Sequence, residues 1–179
     1  MTDIYERFTE RERDILQRRA RRAARRSDDD AADLAIDVLE LTIRGETYAV
    51  RLDAISFIDD DNAVTPVPCV PPFVAGVANI RGYIVPVIDL GTLLGVPGEP
   101  EGDTFALIFI DSDDMNVAFK VDAIGNAGEL RAEQLTPIPE TVNIERPAYL
   151  RGALPDGTIL LDMKAILSDP ALIVDEALG

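Results

Sequence analysis

The sequence contains no histidine and no tryptophan, and a single cysteine, Cys69. Without histidine there is no imidazole general base, no phosphohistidine relay and no imidazole metal ligand. One cysteine excludes an internal disulfide and a CxxC zinc site, and fits a reducing compartment. Positive charge is scarce: 17 Lys and Arg face 33 Asp and Glu, a formal charge of −16. A reader of DNA or RNA neutralises phosphates with Lys and Arg, so this balance argues against nucleic acid as a partner. Long apolar runs are missing too. The longest uncharged stretch, Asn62 to Ile80, holds Pro66, Pro68, Pro71, Pro72 and Gly76, which no spanning helix accommodates. The opening residues MTDIYERFTERE are charged from residue 3 and lack the apolar centre of a signal peptide. These features predict a cytoplasmic protein with no membrane insertion.

What is present is a core-forming composition. At 179 residues and 47% hydrophobic, the chain can bury one domain or two small ones. Its charge is unevenly spread. Residues 1–26 hold nine Arg and five acids, a local +4, while the remainder carries −20. The basic stretch has no Pro or Gly and is rich in Arg, Glu, Gln, Leu and Ala, which favours helix. Ile4, Phe8, Ile15 and Ala23 give it a thin apolar stripe. Ser27-Asp28-Asp29-Asp30 puts acids at the wrong end for the helix dipole, so the helix should end there. Residues 1–33 are therefore expected to be a basic helical arm and an acidic linker. Such an arm is either a solvated helix or a docking helix for an acidic surface.

From Val38 onward the pattern is β. Val38–Ile43 and Tyr48–Leu52, punctuated by Gly45, read as a hairpin. The same text returns: Thr47–Ile55 lines up with Asn116–Ile124 at an offset of 69. Arg81-Gly82 and the run to Asp89-Leu90 line up with Arg151-Gly152 and the run to Asp162-Met163, at offsets of 70 to 73. This predicts two similar β modules, each of about five short strands, with turns at Gly45, Gly82, Ser112-Asp113-Asp114 and Asp156-Gly157. Short helices are expected over Leu90–Leu94 and Met163–Leu167. Two modules of about 65 residues would each be marginal alone, and packing them together creates a groove.

No catalytic set emerges. Asp59-Asp60-Asp61 reads as a solvated turn, because side chains on an extended segment point alternately. The stretch from Asp111 to Asn116 lacks the glycine and glutamate of a calcium loop and reads as a hairpin turn. Cys69, set between prolines with no histidine anywhere, reads as a packing residue. No Gly-rich phosphate loop and no aspartic-protease turn is present. A binding protein without metal or cofactor is expected. The segment that stands out runs from Pro72 to Leu90, nearly all apolar, with Arg81 in its middle. An arginine there either packs its stem in a turn or anchors a partner, as Arg beside apolar surface does at interfaces.

Phe73-Val-Ala-Gly-Val-Ala-Asn-Ile-Arg-Gly-Tyr-Ile-Val-Pro-Val-Ile-Asp-Leu90 resembles the signature of CheW-like coupling domains, F-x-x-G-x-x-N-L-R-G-x-x-x-P-x-x-D-L, with Ile80 for the usual Leu. The resemblance extends over the opening hairpin, Val121-Asp122, and the closing Tyr149–Gly152 and Leu160–Asp162 segments. It implies a mainly β fold of two intertwined SH3-like five-stranded barrels with short helices. The domain should span residues 34–170, with repeats starting near 38 and 104, followed by a tail at 171–179. It also implies a non-enzymatic adaptor between a CheA-type histidine kinase, through its regulatory domain, and the cytoplasmic tips of methyl-accepting chemoreceptors. The alternative is a related adaptor serving twitching motility or gene regulation. Carried over by position, Gly76, Asn79, Arg81 and Gly82 fall near the receptor groove, and Ile55 matches an apolar position of that region. Many relatives place a Glu where this chain has Phe57, so the usual partner of the signature arginine is gone. Arg81 is then expected to stack on Phe57 or to use an acid such as Asp59.

Overall fold

A computed structural model describes residues 35–60, 63–100, 102–112, 115–140, 142 and 144–172. The expected arm over 1–33, the tail beyond Leu172, Asp61 and the Asp113-Asp114 turn lie outside the described residues.

Among the described residues, eleven strands form two sheets. The first contains β1 (Ala35–Ile43), β2 (Glu46–Arg51), β9 (Ala123–Arg131), β10 (Leu150–Ala153) and β11 (Ile159–Leu161). Its order is β10-β11-β2-β1-β9. The second contains β3 (Phe57–Asp59), β4 (Val64–Thr65), β5 (Val74–Ile80), β6 (Tyr83–Asp89), β7 (Ala106–Asp111) and β8 (Asn116–Val121). Its order is β3-β7-β8-β6-β5-β4. The fold is thus mainly β and SH3-like in two subdomains, with five strands in one sheet and six in the other. Each sheet is open in its strand order.

Each sequence repeat is divided between both sheets. The β1–β2 hairpin lies with β9–β11 of the second repeat, and the matching β7–β8 hairpin lies with β3–β6 of the first. Parallel pairing makes both exchanges: Ala49 opposes Leu160 and Ala118 opposes Val87. Those two pairs are equivalent, since Ala118 follows Ala49 by 69 positions and Leu160 follows Val87 by 73.

The exchange explains why the strands fail to alternate apolar and polar. Both faces of each sheet are covered, as sequences with continuous apolar runs require. Tyr48, Val50, Val117, Phe119, Ile88, Ile159 and Leu161 face one large core between the sheets. Ala49 and Leu160 turn the other way into a small core with Val38 and Leu130. Ala118 and Val87 do the same in the second sheet, with Ala78, Ile80, Val85 and Leu107.

Short helices α1 (Leu90–Leu94) and α2 (Met163–Leu167) form where the sequence places them. Asp89 and Asp162 cap them, accepting hydrogen bonds from the Thr92 N–H at 2.7 Å and the Ala165 N–H at 3.0 Å. One expected alignment shifts. Gly76 pairs with Val87 and Gly152 with Leu160, each just after a register irregularity. The Asp89 N–H donates to the Phe73 carbonyl at 2.8 Å, and the Asp162 N–H donates to the Tyr149 carbonyl at 2.7 Å. The counterpart of Arg151-Gly152 is therefore Ala75-Gly76, not Arg81-Gly82. The β5–β6 hairpin is longer than β10–β11, so a constant offset fails across it.

Gly76 is where the backbone allows no side chain. Its φ is +143°, and a Cβ would sit 2.1 Å from the Thr65 carbonyl oxygen. A second anchor lies at the end of the described chain. Asp169 accepts from Arg146 at 3.1 Å, from the Tyr149 hydroxyl, and from the Ala171 N–H at 2.8 Å. The Tyr149 hydroxyl above all, then the Ala171 N–H and the Arg146 charge, hold the Asp169 carboxyl below its usual range.

Two outcomes follow for urea unfolding. Gly76→Ala loses about 3 kcal/mol or more, from a clash and a forbidden φ together. Gly82→Ala, with φ +92° but open space around a Cβ, loses only about 1 kcal/mol; equal losses would contradict the close contact at Gly76. A carboxyl held low when folded stabilises the fold above its unfolded pKa and stops doing so in acid. Asp169→Asn is therefore destabilising at pH 7, and the gap to the unaltered protein narrows as pH falls through the carboxylate range. A gap independent of pH would contradict the anchor.

Candidate partner-binding site

The β5–β6 hairpin turns on Arg81 and Gly82, at φ +53° and +92°. Two positive φ angles in a two-residue loop match the right-handed twist of the flanking strands. The Asn79 side chain closes the turn by accepting from the Gly82 N–H at 2.9 Å. Asparagine, arginine and glycine at these three positions are thus one local device. Asn79 holds the turn, Gly82 permits it, and Arg81 is carried at its tip.

The Arg81 guanidinium lies over the Phe57 ring, 4.5 Å from its centre. Phe57 opposes Phe109 in the β3–β7 register, and their rings stand 4.9 Å apart at 40°. In the strand order, β7 and β8 separate β3 from the β5–β6 hairpin. Neighbouring strands are about 4.8 Å apart, so a flat sheet would leave Arg81 far from Phe57. The contact exists because the sheet curls around its inner core, on which Phe57 and Phe109 pack. The expected stacking of Arg81 on Phe57 is present.

The six residues expected in the site divide by depth. Asn79, Arg81 and Gly82 are exposed and Phe57 is half-buried beneath Arg81. Gly76 is buried in the same hairpin and lines an apolar groove on its outer face. Ile55 is 0% exposed and belongs to the large core, so it supports the site from behind and offers no surface.

Sequence reasoning did not single out Tyr83 and Ile84. They are 76% and 66% exposed, the most exposed large hydrophobic side chains among the described residues. The apolar run from Tyr83 to Leu90 concealed which residues face out. Pairing resolves it: Ile84 opposes Asn79, Pro86 opposes Val77, and Ile88 opposes Val74. Ile84 thus begins a strip on the outer face that runs through Val77 and Pro86 into the groove. Cys69 also departs from expectation, since it is exposed and not packed. It follows Pro66-Val67-Pro68 in a segment with φ +63° at Cys69 itself, and that backbone turns the side chain away from the core.

Chemically, this face offers a cation on an aromatic platform, an amide, and exposed apolar side chains. Among the described residues, no cluster of three or more Cys, Asp or Glu is placed to hold a metal. The arrangement suits contact with another protein surface.

The Arg81–Phe57 pair is measurable. A double-mutant cycle with Arg81→Ala and Phe57→Leu in urea unfolding gives a coupling of about 0.5–1 kcal/mol, the size of an exposed cation–π contact. Additive effects would mean that the stacking contributes nothing.

Comparison with known proteins agrees with this fold. Residues 37–171 match the sequence model of the CheW-like domain. The chain is 30% identical over 135 residues to "Chemotaxis protein CheW" of Klebsiella aerogenes, covering 74% of this chain and 81% of that one. It is 28% identical over 141 residues to the Bacillus subtilis protein of the same name, covering 75% and 90%. Among solved structures, the scaffolding protein TtCheW from Thermoanaerobacter tengcongensis superposes with a TM-score of 0.64 at 22% identity. That superposition covers 72% of this chain and 90% of TtCheW. With the family model spanning most of the chain and the fold in agreement, this protein belongs to the CheW-like domain family.

Proposed function

We propose that this chain is a non-enzymatic chemotaxis adaptor that couples the cytoplasmic tips of methyl-accepting chemoreceptors to a CheA-type histidine kinase through its regulatory domain. Its relatives are named as chemotaxis CheW proteins, and one is described as a scaffolding protein. The observation that carries the reading is the β5–β6 hairpin. It spends Asn79 and Gly82 on aiming Arg81, and it leaves Tyr83 and Ile84 in water. Isolated exposed apolar residues are ordinary, but aromatic, aliphatic and Arg side chains grouped on one rigid turn are typical interface anchors.

The receptor tip meets the face made by Phe57, Asn79, Arg81 and Gly82, with Ile55 and Gly76 holding it in shape. The adaptor works in the cytoplasm, at receptor arrays on the inner face of the membrane, without a cofactor and without nucleic acid. No helix among the described residues is long and apolar enough to cross a membrane. Coupling requires only that receptor state alter the free energy of the shared assembly. The apolar anchors set affinity, and the acidic remainder of the surface governs encounter rate and choice of partner.

Calorimetry with the regulatory domain of a chemotaxis-type kinase from the same source is expected to give micromolar or tighter binding; absence of binding at every salt concentration would overturn the coupling role. Arg81→Ala is expected to weaken binding of a receptor-tip fragment by about tenfold or more, the effect of losing one anchor. Phe57→Glu folds and changes receptor affinity, because it converts a stacking partner of Arg81 into an ion-pairing one. Unchanged affinity in Phe57→Glu would place Phe57 outside the site.

A further inference from the structure

Of the 17 Lys and Arg, nine precede residue 27, leaving eight for the far more acidic remainder. Three of those eight, Arg51, Arg151 and Lys164, line one pocket of about 330 Å³. Its floor is apolar, made by Ala54 and the buried Leu161 and Met163. The pocket shares no residue with the β5–β6 face. The other five cations are used within the domain: Arg44 on Asp89, Arg81 on Phe57, Lys120 over Phe105, Arg131 on Glu133 and Arg146 on Asp169.

The exchange between the repeats builds this pocket. β11 runs parallel to β2 with Leu160 opposite Ala49, so Asp162, just past β11, comes beside Arg51 at the end of β2. Arg151 falls at the register irregularity between Leu150 and Gly152, and Lys164 lies in the first turn of α2. Both carboxylates of the pocket are already engaged. Asp53 accepts from Arg51 at 2.9 and 2.5 Å. Asp162 accepts from Arg151 at 3.2 Å with one oxygen and from the Ala165 N–H at 3.0 Å with the other. Lys164 is exposed and makes no ion pair among the described residues. Three cations beside two engaged carboxylates leave one positive charge in excess.

The duplicated half of the molecule shows what the architecture itself requires. Asp89, the counterpart of Asp162, opposes Lys120, the counterpart of Arg51. The counterparts of Arg151 and Lys164 are Ala75 and Gly91. At Gly91 the Arg44 side chain closes the space, with its Nε 2.9 Å from where a Cβ would sit. The capped turn therefore forms without a cation at either position, so Arg151 and Lys164 answer no demand of the fold.

We propose that this pocket receives an acidic side chain of a partner protein, with the carboxylate held by Arg151 and Lys164 and a neighbouring apolar side chain against Met163. Charge-assisted hydrogen bonds from a guanidinium and an ammonium suit a carboxylate. Most of this acidic surface repels such a group, so a basic pocket within it fixes where an acidic segment settles. The inference stands whether or not the adaptor role holds.

The test is NMR on the full chain, titrated with acetyl-Leu-Glu-Leu-Glu amide and, separately, with inorganic phosphate. Signals resolved by residue separate the pocket from the Arg-rich first 26 residues, which also attract anions. Expected are saturable, peptide-dependent shifts of the Arg51 and Arg151 Nε–H signals and of the Met163 methyl. Affinity read at Met163 falls about tenfold or more in Lys164→Glu, from a lost attraction and an added repulsion. It stays within about twofold in Lys120→Glu, which changes the net charge equally at the duplicated site, because distant exposed charges are screened. Absence of shifts at these residues overturns the proposal. Equal weakening by the two variants reduces the effect to overall charge and overturns it as well. Phosphate binding as tightly as the peptide, with the same shift at Met163, assigns the pocket to free anions and overturns it too.

Discussion

The parallel pairing of each hairpin with the closing strand of the other repeat is the constraint on which the rest of the structure depends. It sets Ala49 beside Leu160 and Ala118 beside Val87. Because of it neither repeat can complete a sheet alone, and the two subdomains share one large core between them. Each sheet then also needs an inner core, which the small residues Ala49 and Ala118 leave room for on their strands. A chain this acidic still folds because the apolar positions are used on both faces, while most of its charge lies elsewhere on the surface.

The site is a consequence of the same curvature. A sheet bent around Val85, Val87 and Leu107 brings the β5–β6 turn over β3, so Arg81 meets Phe57 across the two intervening strands β7 and β8. The signature residues consequently serve two purposes. Gly76, Asn79 and Gly82 build the hairpin: one avoids the Thr65 carbonyl, one caps the turn, one permits its φ. Arg81, with Tyr83 and Ile84, is what the hairpin presents. Phe57, where many relatives have an acid, gives Arg81 a ring face to lie on.

Much of this was legible in the residues. The duplication, the opening hairpin and both short helices follow from repeats and local patterns that act over a few residues. The stacking of Arg81 on Phe57 was one of two arrangements that the substitution at Phe57 allowed. What the sequence concealed depends on tertiary geometry. The offset between repeats drifts through the longer β5–β6 hairpin, so Arg81-Gly82 and Arg151-Gly152 look equivalent in text and are not equivalent in space. Ile55 looks like surface by resemblance and is core by packing. Tyr83 and Ile84 are hidden in an apolar run because a sheet buried on both faces erases the alternation that would mark its few outward positions. Cys69 looked buried by composition, and a positive φ among prolines turned it out.

The account centres on the β5–β6 hairpin as the partner face. Hydrogen–deuterium exchange on the full chain, with and without a saturating receptor-tip fragment, tests this most directly. The account predicts slowed exchange at Phe57 and from Gly76 to Ile84, with little change along β9 on the far edge of the other sheet. Protection confined to β9 and its neighbours, with the hairpin unchanged, would contradict it.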